Sequence, residues 1–153
     1  MARFQITIRI NQPVETVYQA YVDPDNMLKW TANLESIEVV KGRFGEPGAT
    51  ARLHYNKKGR KSMLEDRLEY LEPRRKIVSR VTGGGLTALV DTTFSGSVDG
   101  TDLTVTWQGA GNNIFIGLLL SLLGQKIRKQ ATGELQKFKI LVERYGARFT
   151  FTT

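Results

Sequence analysis

Asp66 lies between Leu64 and Leu68 in an alternating stretch, so its carboxyl shares a face with the two leucines. A carboxyl on an apolar face is desolvated, holds its proton to higher pH, and can serve as an acid or a base. Tyr55 alternates with Leu53 in the preceding stretch and adds a phenol. These two are the candidate catalytic groups. A register one residue out, or a bulge, is the alternative: it turns Asp66 to solvent and brings Glu65 in. His54, the one histidine, falls between Leu53 and Tyr55 and so points to the outer face as a surface imidazole. A single histidine excludes metal sites built on several imidazoles, and a Ser-His-Asp triad would have to use it. The absence of cysteine excludes disulfides, thiolate metal centres and thiol chemistry. No metal and no cofactor is expected.

Two glycine clusters need weighing as phosphate cradles. Gly109-Ala110-Gly111-Asn112-Asn113-Ile114 nearly matches GxGxxG, but the third glycine is missing and no further βαβ unit follows. The glycines there read as a close turn from strand into helix. Gly42, Gly45 and Gly48 have no Lys-Ser/Thr pair and no helix behind them. They read as a surface turn.

The elements that position these groups follow from hydrophobic spacing. Phe4, Ile6, Ile8 and Ile10 alternate with polar residues and predict a strand with one buried face. Asn11 or Gln12 as cap and Pro13 in the first turn start a helix carrying Val14, Val17, Tyr18 and Tyr21. Asp23-Pro24 restarts a second short helix through Met27, Leu28 and Trp30. A meander of about six strands follows: 37–41, 50–56, 62–71, 77–82, 86–98 and 103–108. Its turns include the basic Lys57-Lys58-Gly59-Arg60 and a hairpin at Asp99-Gly100. After Asn113 the period changes. Leu119, Leu123, Ile127, Ala131, Leu135, Phe138, Val142 and Tyr145 predict one long amphipathic helix, with Gly124 and Gly133 as points where it could bend. The tail 148–153 alternates again, with Phe149 and Phe151. At 153 residues this is one domain, 1–147, plus a tail. Mostly antiparallel strands and a terminal helix make the class α+β, a curved sheet around one long helix.

The sequence resembles the START-like (SRPBCC) superfamily, in its polyketide cyclase/dehydrase and lipid transport branch. The resemblance is carried by residues 8–18, Asp23-Pro24, Trp30 and the run Gly42…Gly45-Glu46-Pro47-Gly48-Ala49-Thr50. It continues in Leu71-Glu72-Pro73 and in Leu135-x-x-Phe138-Lys139-x-x-Val142-Glu143. Such a resemblance implies a helix-grip fold with a cavity between sheet and long helix that takes an apolar or amphipathic small molecule or lipid. It also offers the 42–48 loop as a gate. Binding or carriage is the expected function, with a polyketide cyclase or dehydratase as the alternative.

Strand and helix parity supplies the expected lining: Trp30, Leu53, Tyr55, Leu64, Asp66, Leu68, Val90, Thr92 and Phe94. Val105 and Trp107 join them, with Phe115, Leu119, Leu122, Leu123 and Ile127 from the helix. On spacing alone these faces are equally those of a packed core.

The net charge of +7 directs attention to anionic partners. Ile114–Gly124 is apolar almost all round, and Lys126, Arg128 and Lys129 follow it. That pattern suits burial, including a homodimer, or a transient contact with an anionic membrane. The runs 57–61 and 74–76 are basic turns without the interleaved aromatics that nucleic acid would want, which argues against that partner. Neither a secretory leader pattern nor a spanning-length apolar run is present, so a cytoplasmic location is expected.

Overall fold

A computed structural model describes residues 2–97 and 99–150. The chain runs β1 (Ala2–Ile10), α1 (Val14–Val22), α2 (Pro24–Trp30), β2 (Leu34–Lys41), β3 (Thr50–Lys57) and β4 (Arg60–Glu72). It continues with β5 (Lys76–Gly83), β6 (Leu86–Ser97), β7 (Gly100–Gly111) and α3 (Ile114–Tyr145). The strands form one antiparallel open sheet in the order β1-β7-β6-β5-β4-β3-β2. The class is α+β, as the spacing predicts, with the helix-grip arrangement that the resemblance implies.

Alternation explains which face is covered. Phe4, Ile6 and Ile10 of β1 pair with Trp107, Val105 and Thr101 of β7. Their inner faces pack with Leu135, Phe138 and Val142 of α3, which sit three, four and seven apart. At 32 residues α3 is roughly 48 Å long by the rise of an α-helix, and it packs on β1 and β7.

The two short helices close the core from the side. Asp23 caps α2 by accepting from the backbone N–H groups of Asp25 (2.8 Å) and Asn26 (3.4 Å), with Pro24 in the first turn. The expected side-chain cap on α1 is not made: Pro13 occupies the N-cap position. The N–H of Asn11 instead donates to the carboxylate of Glu143 near the end of α3 (2.8 Å).

Asn26 is fully buried and ties three segments together. Its Nδ2 donates to the carbonyls of Ala20 (3.1 Å) and Ala147 (2.8 Å), and its Oδ1 accepts from the N–H of Phe149 (2.9 Å). Phe149 is therefore not the start of an alternating strand. Its ring is buried against Phe138, so the packed chain continues past 147. Phe151 and Val98 lie outside the described residues.

Candidate functional site

A cavity of about 360 Å³ lies between α1–α2 and the inner face of β2–β6. This differs from the expected position between sheet and long helix, because no α3 residue lines it. The walls are mainly apolar: Met27 and Val22 from the helices, Leu53, Leu68, Ile77 and Val90 from the strands. Phe44 and Gly45, both exposed, stand at its edge on the 42–48 loop. Positive φ values of 72°, 87° and 91° at Gly42, Gly45 and Gly48 shape that loop.

Six residues with a hydroxyl or carboxyl group line this apolar space: Tyr18, Tyr21, Thr50, Asp66, Ser79 and Thr92. The phenol of Tyr21 and the Thr92 hydroxyl are 3.0 Å apart. The Tyr21 ring is fixed from behind, edge-on to Phe94 and Phe138 and tilted against Trp30 at 5.5–5.6 Å. Burial pushes the phenol up to about 12. The Thr92 hydrogen bond works against that shift, and the nearby carboxyls Asp66 and Glu134 add to it. Asp66 points inward, as the Leu64–Leu68 spacing predicts, and Glu65 is not in the cavity wall. Desolvation by the cavity walls raises the Asp66 carboxyl above its usual range, against a hydrogen bond from Ser79.

Tyr55 and Glu134 extend the polar cluster beyond the cavity. The Tyr55 phenol is pushed up to about 12 by burial, then by Glu134 and by Asp66. Glu134, on α3, is itself raised by burial. It accepts from the backbone N–H of Ala32 (2.8 Å) and from Gln130 (3.5 Å). Two carboxyls raised by burial thus both act on the Tyr55 phenol through their charge. Among the described residues no group of three His, Asp or Glu side chains converges as metal ligands.

Of the sixteen expected lining residues, Leu53, Asp66, Leu68, Val90 and Thr92 are in the cavity wall. The others are elsewhere for identifiable reasons. Phe94 faces inward but α1 covers it, with Tyr18 and Tyr21 edge-on at 5.5 and 5.6 Å. Val105 and Trp107 lie under α3, where Trp107 stacks on Phe4 at 5.3 Å. Trp30 packs on Tyr21 and Phe138 in the core, its indole N–H buried without a partner. Tyr55 pairs with Ser62, nearer the hairpin end of β3–β4 than the cavity, whereas Leu64 pairs with the wall residue Leu53 without lining the cavity itself. Ile127 packs on the core cluster. Phe115, Leu119, Leu122 and Leu123 are exposed, because α3 rests on β1 and β7 and leaves this side of its first half uncovered.

Residues outside the expected lining also contribute. Tyr18, Tyr21 and Met27 read in the sequence only as helix-packing positions, yet they form the roof. Ile77 and Ser79 obey the same parity rule as Val90 and could have been found by it. Leu71 could not: a register shift between Leu68 and Tyr70 turns Leu71 inward and leaves Tyr70 exposed. His54 faces outward and pairs with Glu38 at 3.0 Å. The 109–114 glycines serve close approach. A Cβ on Gly109 would strike the Trp107 ring, and one on Gly111 the backbone of Ile116 and Gly117.

The family model for polyketide cyclase/dehydrase and lipid transport matches residues 1–143. The chain belongs to that family. Solved structures agree on the polyketide cyclase/dehydrase fold. The Zhui aromatase/cyclase from Streptomyces sp. R1128 superposes with a TM-score of 0.76 at 16% identity, covering 93% of each chain. Protein CV1439 from Chromobacterium violaceum gives 0.76 at 17%, covering 93% of this chain and 97% of the other. Ara h 8.0201 gives 0.76 at 16%, covering 92% and 96%. At these identities the likeness is one of fold. No curated protein matches the sequence. Among the described residues no helix is long and apolar enough to cross a membrane.

Proposed function

We propose that this protein binds and holds, or carries, a small molecule with an apolar body and one or two hydrogen-bonding oxygens. The observation behind this reading is the cavity, about 360 Å³ of mainly apolar wall with Tyr21, Asp66, Ser79 and Thr92 among its polar groups. That volume and that ratio are those of small-molecule sites. Ligand burial contributes roughly 25 cal/mol per Å² of apolar surface removed from water. These polar groups fix orientation, since a ligand oxygen buried without a partner would be penalised. Burial raises the Asp66 carboxyl above its usual range, and a carboxyl can accept from a ligand hydroxyl or, when protonated, donate to a ligand carbonyl.

Native mass spectrometry of freshly purified protein, followed by solvent extraction, tests the reading. The expected result is a discrete added mass released on denaturation. The contrary result is an apoprotein mass that stays unchanged when the protein is incubated with a panel of apolar alcohols, phenols and ketones.

Acid–base chemistry is a second reading, of the cyclase or dehydrase kind in the family's description and the aromatase/cyclase kind named for one structural neighbour. Asp66 and Glu134, which both act on Tyr55 through their charge, favour it. A protonated carboxyl could give a proton to a leaving hydroxyl, and an ionised one could take a proton beside a carbonyl. Under this reading Asp66→Asn abolishes turnover of a polyketide-like substrate; turnover that survives the change removes Asp66 from the chemistry.

A further inference from the structure

The first half of α3 carries six large apolar side chains in the open. Ile114, Phe115, Leu118 and Leu122 are 85, 69, 62 and 80% exposed, and Leu119 and Leu123 are 39 and 45% exposed. At 100° per residue these six fall on one side of the helix, and Lys126 and Lys129 continue the same stripe one to two turns on. Soluble monomers rarely leave so continuous an apolar surface uncovered.

The sheet brings a second feature to the same end. Leu86 pairs with Gly111, just before α3, and Gly83 pairs with Leu86. The β3–β4 hairpin therefore points the same way. Residues 60–64 run past the last β4–β5 pair, Glu65 with Thr82, a reach of roughly 15 Å at about 3.3 Å per residue. Its tip carries Lys57, Lys58, Arg60 and Lys61, all exposed. Positive φ at Lys58 (54°) and Gly59 (86°) makes the tight turn that presents them.

The electrostatics of this end are one-sided. Residues 50–64, 77–90 and 103–133 contain no Asp or Glu. Among the described residues none of the four hairpin cations, nor Lys126, Arg128 or Lys129, forms an ion pair. The basic run at 74–76 is different, since Arg74, Arg75 and Lys76 pair with Glu15, Glu72 and Asp91.

We propose that this end is a docking surface for an anionic phospholipid bilayer. The apolar stripe enters the boundary between headgroups and acyl chains, and the helix and hairpin cations meet the lipid phosphates. A second copy of the chain is a poorer occupant, because facing copies would set uncompensated cations against each other. The surface is distinct from the cavity and does not depend on what the cavity holds.

Flotation of the full chain with phosphatidylcholine vesicles, with and without phosphatidylserine, tests this at low and high salt. The expected result is binding that needs phosphatidylserine and weakens with salt. Leu118→Ser with Leu122→Ser should weaken it more than tenfold. Lys57→Ala and Lys58→Ala should weaken it about fivefold each. All four positions are exposed, so the thermal midpoint and circular dichroism should stay at wild-type values. Three results overturn the proposal: no flotation on either vesicle, flotation unaffected by the leucine changes, or equal flotation without phosphatidylserine. A dimer in light scattering that the leucine changes dissociate, with no vesicle binding, assigns the stripe to a second copy instead.

Discussion

The Ser79 side chain on β5 hydrogen-bonds to the Asp66 carboxyl on β4, and both line the same cavity. The hydrogen bond favours the charged carboxylate. Loss of hydration opposes it and is the larger effect, so the carboxyl is raised. Asp66 is thus a desolvated carboxyl in a mainly apolar wall.

That balance sets a pH dependence. A carboxyl whose folded pKa is raised contributes stability fully present below its unfolded pKa, about 3.9, and lost as pH rises through the folded value. Asp66→Asn keeps an acceptor for Ser79 and removes the buried charge. The variant should melt higher than wild type at neutral and alkaline pH, with the gap closing on acidification toward pH ~4. Thermal unfolding of both proteins across pH checks this; a gap that stays constant with pH contradicts it.

Tyr21 is held by rings on its core side and presents its hydroxyl to the cavity. Tyr21→Phe keeps the rings and deletes the hydroxyl. Stability should fall by only about 0.5–1.5 kcal/mol, the net worth of one hydrogen bond. Affinity for an oxygen-bearing ligand should fall roughly tenfold, and calorimetry of both proteins with the extracted ligand measures it.

Asn26 joins α1, α2 and the chain after α3 through three hydrogen bonds. Asn26→Ala leaves buried backbone groups of Ala20, Ala147 and Phe149 without that partner. The loss should be about 2–3 kcal/mol in urea unfolding. A change within about 0.5 kcal/mol, typical of surface positions, would show that the latch adds little.

Much of the fold was legible because burial on one sheet face imposes a period of two, which β1 and the inner part of β7 show plainly. Asp66 was legible for the same reason: its parity matches Leu64 and Leu68. The position of the cavity was not. Tyr18 and Met27 have the spacing of core residues, and nothing local tells a helix roof from a helix buried in protein. Phe115, Leu119, Leu122 and Leu123 share the α3 pattern, but only the placement of α3 over β1 and β7 shows that they face outward. Leu71 depended on a bulge that no spacing announces. Glu134 resembled a surface carboxylate on an amphipathic helix until Ala32 and Tyr55 were placed beside it.

The central claim is that the cavity between α1–α2 and β2–β6 receives a ligand. The most direct test is an amide NMR titration with naphthol, an apolar probe with one hydroxyl, on wild type and on Ala51→Leu. Ala51 is a buried residue of the cavity wall, so a leucine there fills the space. Saturable shifts centred on Tyr21, Ser79, Val90 and Thr92 in wild type, abolished in a still folded Ala51→Leu, are the predicted result. Shifts centred elsewhere, or equal in both proteins, would contradict the account.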